Sequence, residues 1–513
     1  MVGPVRTGGR RQKVTSRIGL RSTGLVVFGG NVFAGFTGLV FLVMAARWLV
    51  PAQLGLWEVI VDLLAFSSYP IGIVAYWATR DVARGRLVGK TAFAAAVIMS
   101  SLGILVYFVF AALTRSTLAT SFVPFLLGGL LVPLNYVNLV TTSIVLGYRP
   151  VVNGYQLVIS EPIKIAVAYL ALYDYHLGIE GVILGLLTSY LVTSTLGAYM
   201  VRGATKEQLQ LSAAERWFRL SWVPAINSLP PLLLLADTYV ASLGFGTSVA
   251  GIYQPAFAVA GVVNASYYIS YSLYSLLLKG GNRNLPAIVV EFLLIFSIPM
   301  ATGLAILAQP MLHLFGTKYL DGSLGLPILA FMCLFQSISL VVDRTLLGTE
   351  KVDMGDEKNF GTYLRSNLLY VSVVNTCAAA VYLTGMYLAL SFALSRGLGT
   401  SDAVALWASV QLCTTIVFLA IKARRASRTA ILFQAGTKVP FYLGAALAMG
   451  IALGPISRVF LFSTSGGLTY GLGLFVVIIL GGAIYFGILY AVEPNFREMA
   501  LSALKRGLQM TGS

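Results

Sequence analysis

Fourteen apolar runs, each close to the length of a membrane crossing, leave this chain few ways to fold. A bilayer core of ~30 Å takes about 20 helical residues. Runs of that size fall at 25–46, 54–78, 91–113, 122–146, 155–174, 179–201 and 219–242, then at 249–278, 286–308, 323–347, 365–390, 402–422, 438–459 and 468–491. Lipid offers backbone N–H and C=O groups no partners, so each run must satisfy them inside a helix, and no alternating barrel pattern is present. The expected fold class is an all-α polytopic membrane protein with about 14 transmembrane helices. Composition agrees. Charged residues make up 11% of the chain, against roughly 25% in soluble domains.

The net charge of +16 has a topological explanation. With the N-terminus in the cytoplasm, 29 of the 35 Lys and Arg fall on cytoplasmic segments. Only Arg47, Arg115, Lys318, Arg396 and Arg458 face outward, and Lys164 lies within a span. This bias predicts a multi-pass protein of the cytoplasmic (plasma) membrane with both termini in the cytoplasm. No folded basic face is left to bind nucleic acid. The basic tail 1–24 precedes an apolar run of 22 residues, longer than the ~7–15 of a signal peptide, so the first run stays as a helix. Cys333, Cys377 and Cys413 lie scattered in apolar stretches, and His176 and His313 near span ends. Neither set has metal-ligand or disulfide spacing, so no metal and no cofactor is expected.

Segment 202–218 mixes charges with leucines and aromatics and reads as an amphipathic cytoplasmic linker. It divides the chain into a six-helix bundle at 25–201, a second at 219–422, and two extra helices with a tail at 423–513. The ends of spans one and seven are alike. "ARWLVPAQLGLWEVI" from Ala46 and "YVASLGFGTSVAGIYQPAF" from Tyr239 both lead into Gly-x-aromatic, Gly55–Trp57 and Gly251–Tyr253, offset by 196 positions. Leu146–Gly147 and Leu347–Gly348 repeat at an offset of 201. With six spans per half, such a duplication is parallel, two pseudo-symmetric bundles about an axis along the membrane normal.

These motifs carry a resemblance. Ala46-Arg47-x-Leu49 with Gly55, the "DVARG" turn at 81–85, Asp237 ahead of Gly251-x-Tyr253, and "LFGTKYLDGSLGLPIL" at 314–329 are similar to the polysaccharide-transporter branch of the multidrug/oligosaccharidyl-lipid/polysaccharide exporter superfamily, the O-antigen-type flippases of lipid-linked oligosaccharides. The likeness spans most of the chain. The loop 348–361 departs from it, with four acids against two lysines.

Ionisable groups inside the spans cost roughly 2.5–3.5 kcal/mol each on insertion scales, and they persist where they face a partner or a wet cavity. In "VISEPIKIAVAYLAL", Glu161 and Lys164 lie about 14 and 18 Å into the fifth span at ~1.5 Å per residue. At i, i+3 they share a face and can pair, while Pro162 removes a backbone bond on the same turn. The pair either neutralises itself for packing or lines a hydrated cavity, with Lys164 attracting a phosphate. Glu58 and Asp62, at i, i+4, share a face of span two. Two adjacent carboxylates are costly to keep charged together, so they suit a proton or sodium site, or else hydrogen-bond to a neighbouring helix. Asp237 joins them as an ion-coupling candidate, or caps its span at the interface. Arg47 at the outer mouth either receives a phosphate or anchors the span end, and Arg344 near the end of span ten is a candidate phosphate contact. Tyr267, Tyr271 and Tyr274 share one face and either stack on sugar rings or belong to an interfacial aromatic belt.

The resemblance implies a flippase that carries a polyprenyl-phosphate- or pyrophosphate-linked oligosaccharide to the outer leaflet by alternating access, for cell-surface polysaccharide or glycan biosynthesis. Its expected partners are that lipid-linked oligosaccharide, membrane lipids, H+ or Na+, and glycan polymerase or glycosyltransferase machinery. A cation-coupled multidrug antiporter is the first alternative, although span one carries no carboxylate. A membrane glycosyltransferase or polymerase is the second, and the outer loops, none above about 15 residues, leave little room for its acidic catalytic groups.

Overall fold

Among the described residues, thirteen helices are long and apolar enough to cross a membrane, and a bent helix pair taken as one span makes fourteen. The computed structural model describes residues 20–118, 120–270, 273, 277, 284–350, 366–428, 438–462, 467–494 and 496–498. The basic tail before Leu20, most of the acidic loop 348–361, and Tyr271 and Tyr274 lie outside the described residues. The helices are α1 (Leu20–Trp48), α2 (Pro51–Ser68, continued after a 62° bend by Ile71–Ala83), α3 (Gly89–Leu118) and α4 (Val123–Tyr148). They continue as α5 (Val151–Asp174), α6 (Ile179–Met200), α7 (Trp222–Phe245), α8 (Thr247–Ala260, extended by a 3-10 turn at Gly261–Ser270), α9 (Leu285–Ile306) and α10 (Gly325–Gly348). The last four are α11 (Asn367–Ser395), α12 (Thr400–Ala426), α13 (Val439–Phe462) and α14 (Gly467–Val492). An even number of crossings puts the start of α1 and the end of α14 on one face, here the terminal face, opposite the far face.

The bend in α2 has a local cause. Pro70 has no N–H to continue the helix, and the backbone groups this frees must find partners within protein. The carbonyl of Ser67 accepts from Tyr136 Oη of α4 at 2.7 Å, and Ser68 Oγ accepts from Asn135 Nδ2 at 2.9 Å. Beyond the bend, Tyr69 Oη donates to the carbonyl of Ala225 on α7 at 2.7 Å.

The two six-helix bundles meet most closely where α2 crosses α8. A Cβ added at Gly55 would collide with the carbonyl oxygen of Thr247, and one added at Gly251 with that of Pro51. Thr247 follows Pro51, and Gly251 follows Gly55, by the same 196 positions found in the sequence. The contact is therefore reciprocal, as at an interface about a two-fold axis, and the sequence repeat maps onto it. Only glycine allows the backbones this near.

A strap reinforces the crossing on the far face. In "LFGTKYLDGSLGLPIL", Gly316 takes φ +119, a value that side-chain-bearing residues rarely adopt. The turn aims Lys318 and Tyr319 at α1. Tyr319 Oη donates to the carbonyl of Leu49 at 3.0 Å, Lys318 Nζ donates to the same carbonyl, and Arg47 Nε donates back to the carbonyl of Leu314 at 2.7 Å. These bonds satisfy carbonyls that the end of α1 leaves open.

The linker helix Leu211–Arg219 is amphipathic and docks on the first bundle at the terminal face. Asp81 of the "DVARG" turn is buried and accepts from Trp217 Nε1 at 2.8 Å and from Arg216. The additional pair of helices attaches through α13, which Lys438 staples to Glu291 of α9 at 2.6 Å.

Replacing Gly55 by leucine should overpack the α2–α8 crossing at a cost of about 1–3 kcal/mol or more. Gly444 on α13 has open space around its Cα hydrogen, so Gly444→Ala should be silent. Thermal denaturation of the purified protein in detergent, followed by size-exclusion fluorescence, checks this. A Gly55→Leu protein that melts with wild type would refute the close crossing.

Candidate functional site

Three carboxylates converge at the seam between the bundles. Glu58 and Asp62 lie one turn apart on α2, both buried, and α7 presents Asp237 and Thr238 opposite them. Thr238 Oγ1 donates to Asp62 Oδ2, and Glu58 bonds to the Gln254 side chain of α8. Asp237 Oδ2 accepts from Tyr382 Oη of α11 at 2.6 Å, and Tyr382 Oη accepts in turn from Trp407 Nε1 of α12 at 2.7 Å. Tyr253 of α8 stacks flat on Trp407, centroids 3.8 Å apart, and donates to Gln411 at 2.7 Å. The network thus runs from α2 across the seam into four helices of the second bundle.

Among the described residues, no basic side chain pairs with any of these carboxylates. Nor do three His, Cys, Asp or Glu side chains come close enough together to hold a metal ion. Three like charges at this depth would repel in a medium that screens them poorly. Binding a proton, or a small cation held by one carboxylate with neighbouring hydroxyl and amide oxygens, relieves that repulsion. The expected ion-coupling set, Glu58, Asp62 and Asp237, is brought together.

The cations are not gathered in one place. Lys164 Nζ lies 2.6 Å from Glu161 Oε2, both side chains 11% exposed. Thr37 Oγ1 of α1 donates to the same carboxylate oxygen at 3.0 Å, and the ammonium sits 5.1 Å from the Phe41 ring centroid. The pair is therefore held between α1 and α5. Beside it, a cavity of about 440 Å3 opens along the α1–α5 seam, with Thr37, Pro162 and Tyr169 among its walls. The turn broken by Pro162 borders that space, and α5 ends in a π-helical turn at Leu170–Asp174, a feature frequent at functional sites. Arg47 sits in the far-face strap. Arg344 lies toward the terminal face, its Nε donating to Tyr267 Oη at 2.7 Å and its guanidinium 4.7 Å from that ring's centroid. His176 and His313 lie against Trp48 and Tyr470 at far-face helix ends.

One buried group escaped the sequence reading. Lys422, counted above with a cytoplasmic loop, belongs to α12, which runs on to Ala426. Its Nζ lies 2.9 Å from Asp343 Oδ1 and 3.0 Å from Asn375 Oδ1, while Asn375 Nδ2 donates to Asp343 Oδ2 at 3.2 Å. The available signal was Asp343 inside the tenth apolar run, 323–347, a carboxylate in a span that needs a partner.

No protein-family model matches the sequence, and no curated protein matches it. Solved structures do match the fold. A lipid II flippase, MurJ, in an inward closed conformation is similar at TM-score 0.65 and 14% identity, over 91% of this chain and 99% of that one. An inward-facing multidrug resistance MATE family transporter of the MOP superfamily matches at TM-score 0.56 and 14% identity, over 77% of this chain and 95% of that one. A MATE in complex with MaL6 matches at 0.53 and 13%, over 79% and 97%. At these identities the likeness establishes a shared fold and nothing finer.

Replacing Lys422 by methionine leaves Asp343 buried without its cation, which should cost about 3–5 kcal/mol. Adding Asp343→Asn removes the orphaned charge and should restore most of that loss. Melting midpoints of the single and double variants check this; equal destabilisation of both would exclude a buried ion pair.

Proposed function

We propose that this protein is a transporter that moves a polyprenyl-phosphate- or pyrophosphate-linked oligosaccharide across the cytoplasmic membrane by alternating access, coupled to H+ or Na+. The observation that carries the reading is the unneutralised carboxylate network, Glu58 and Asp62 facing Asp237 across the seam along which two bundles must separate. A cation bound there removes repulsion between the bundles, and its release restores it, so occupancy biases their relative position. The likeness to a lipid II flippase over nearly that protein's full length, with α13 and α14 beyond the two bundles, favours a lipid-linked substrate. The terminal face is cytoplasmic in this reading, as the Lys and Arg bias requires. Residues 25–201 and 219–422 are then the two moving halves, with 202–218 as the joint, and glycan polymerase or glycosyltransferase machinery acts before and after transport.

Lys164 is the substrate's phosphate contact in this reading. Its bond to Glu161 holds the charge neutral in the empty carrier, and a phosphate entering along the α1–α5 seam competes with the carboxylate for it. Arg344 and Tyr267 serve as a second contact in the other half. A cation-coupled antiporter of small amphiphiles uses the same carboxylates, and the fold shared with MATE transporters supports it as the second reading.

Two measurements separate these roles. Glu58→Gln with Asp62→Asn should abolish the dependence of transport on an imposed proton or sodium gradient in proteoliposomes; undiminished coupling would end the carboxylate assignment. Lys164→Ala should fail to complement a strain lacking its own lipid-linked oligosaccharide flippase while reaching the membrane at wild-type amounts. Full complementation would remove Lys164 from the substrate path.

A further inference from the structure

A cavity of about 940 Å3 lies on the far face, where the ends of α9, α10, α13 and α14 meet. Its polar lining includes Arg458, His313, Tyr470, Gln309, Ser323 and Ser457. Tyr470 Oη donates to the carbonyl of Pro310 at 3.1 Å, and the His313 ring packs 4.9 Å from the tyrosine ring. That wall is held in place by the short helix Ala308–His313.

Arg458 differs from the other basic groups on this face. Arg47 and Lys318 are committed to carbonyls of the strap. Arg115 and Arg396 lie over the rings of Phe122 and Phe392. Among the described residues, Arg458 has no ion pair, hydrogen bond or ring contact. An uncommitted guanidinium on the wall of a concave, partly apolar space concentrates positive potential there. Its planar fork matches the oxygens of a phosphate. The cavity has the volume of a small-molecule site, and it sits at the helix ends, the level of lipid headgroups. Basic pockets between transmembrane helices bind anionic headgroups by this chemistry.

We propose that this cavity binds a phosphate ester of the far-face leaflet, with Arg458 as the anion contact and Gln309 beside it as a hydrogen-bonding group. The site assigns a role to α13 and α14, which form one side of it together with α9 and α10. It is separate from the carboxylate seam and does not depend on what the carrier transports.

The test is native mass spectrometry of the full-length protein, titrated in turn with dioleoylphosphatidylglycerol, a long-chain polyprenyl monophosphate and inorganic phosphate. Arg458→Ala should weaken binding of at least one probe about tenfold, as expected for loss of a charge-assisted contact. A Cβ at Gly454, which also lines the cavity, meets open space, so Gly454→Leu should fold normally, fill the cavity and weaken the same probe. Arg115→Ala, on the same face, should leave binding unchanged. Dependence confined to phosphatidylglycerol identifies a bulk leaflet lipid, dependence confined to the polyprenyl phosphate a carrier lipid, and dependence shared with inorganic phosphate a soluble anion. Wild-type binding of all three probes by both cavity variants overturns the site.

Discussion

Charge in a medium that cannot solvate it is the constraint around which these fourteen helices are arranged. Lys164 finds Glu161 on its own turn, Lys422 finds Asp343 from a separate helix, and Lys438 reaches Glu291 across the α9–α13 contact. In the second and third cases neutralisation also fixes a helix pair, because removing one partner strands the other. Asp81 does the same at the terminal face, where it anchors the linker helix through Trp217 and Arg216. Glu58, Asp62 and Asp237 stand apart, bonded to hydroxyls and an amide but to no cation among the described residues. A network of that kind has an unsatisfied electrostatic demand that a mobile cation can meet.

Its position gives that demand mechanical leverage. The carboxylates lie on α2 and α7, on either side of the seam, and those of α2 fall within about two turns of the Gly55–Gly251 crossing, near the strap of Lys318 and Tyr319. The far-face contacts are backbone approaches and hydrogen bonds to carbonyl oxygens, which can be exchanged for water without stranding a charge. The bend at Pro70, satisfied by Asn135 and Tyr136 of α4, keeps the lower part of α2 against its own bundle.

Much of this was legible in the sequence, and for definite reasons. The spans were, because the bilayer sets both length and polarity, and the runs expected at 179–201 and 402–422 are the helices Ile179–Met200 and Thr400–Ala426. The Glu161–Lys164 pair was, because i, i+3 spacing on a helix dictates contact. The repeat offset of 196 anticipated the reciprocal Gly55–Thr247 and Gly251–Pro51 contact. Lys422 was not legible: at the end of an apolar run, a buried lysine and a loop lysine look alike until α10 and α11 are placed beside it. The joining of Asp237 to Tyr382 and Trp407, 145 and more positions along the chain, was equally hidden.

The sequence by itself determined the solvent, the element type and the number of crossings, since those follow from apolar length and from the backbone's need for partners in oil. It also marked Glu161, Lys164 and the carboxylates of α2 as groups that had to find a partner, though not Lys422. Tertiary structure alone decided how. The partner of a buried charge is whichever group the packing of distant helices brings within about 3 Å, and that depends on crossing angles and helix rotation, which no local pattern encodes. So Lys164 is paired within its own turn, Lys422 across helices, and the three carboxylates of the seam are left facing one another.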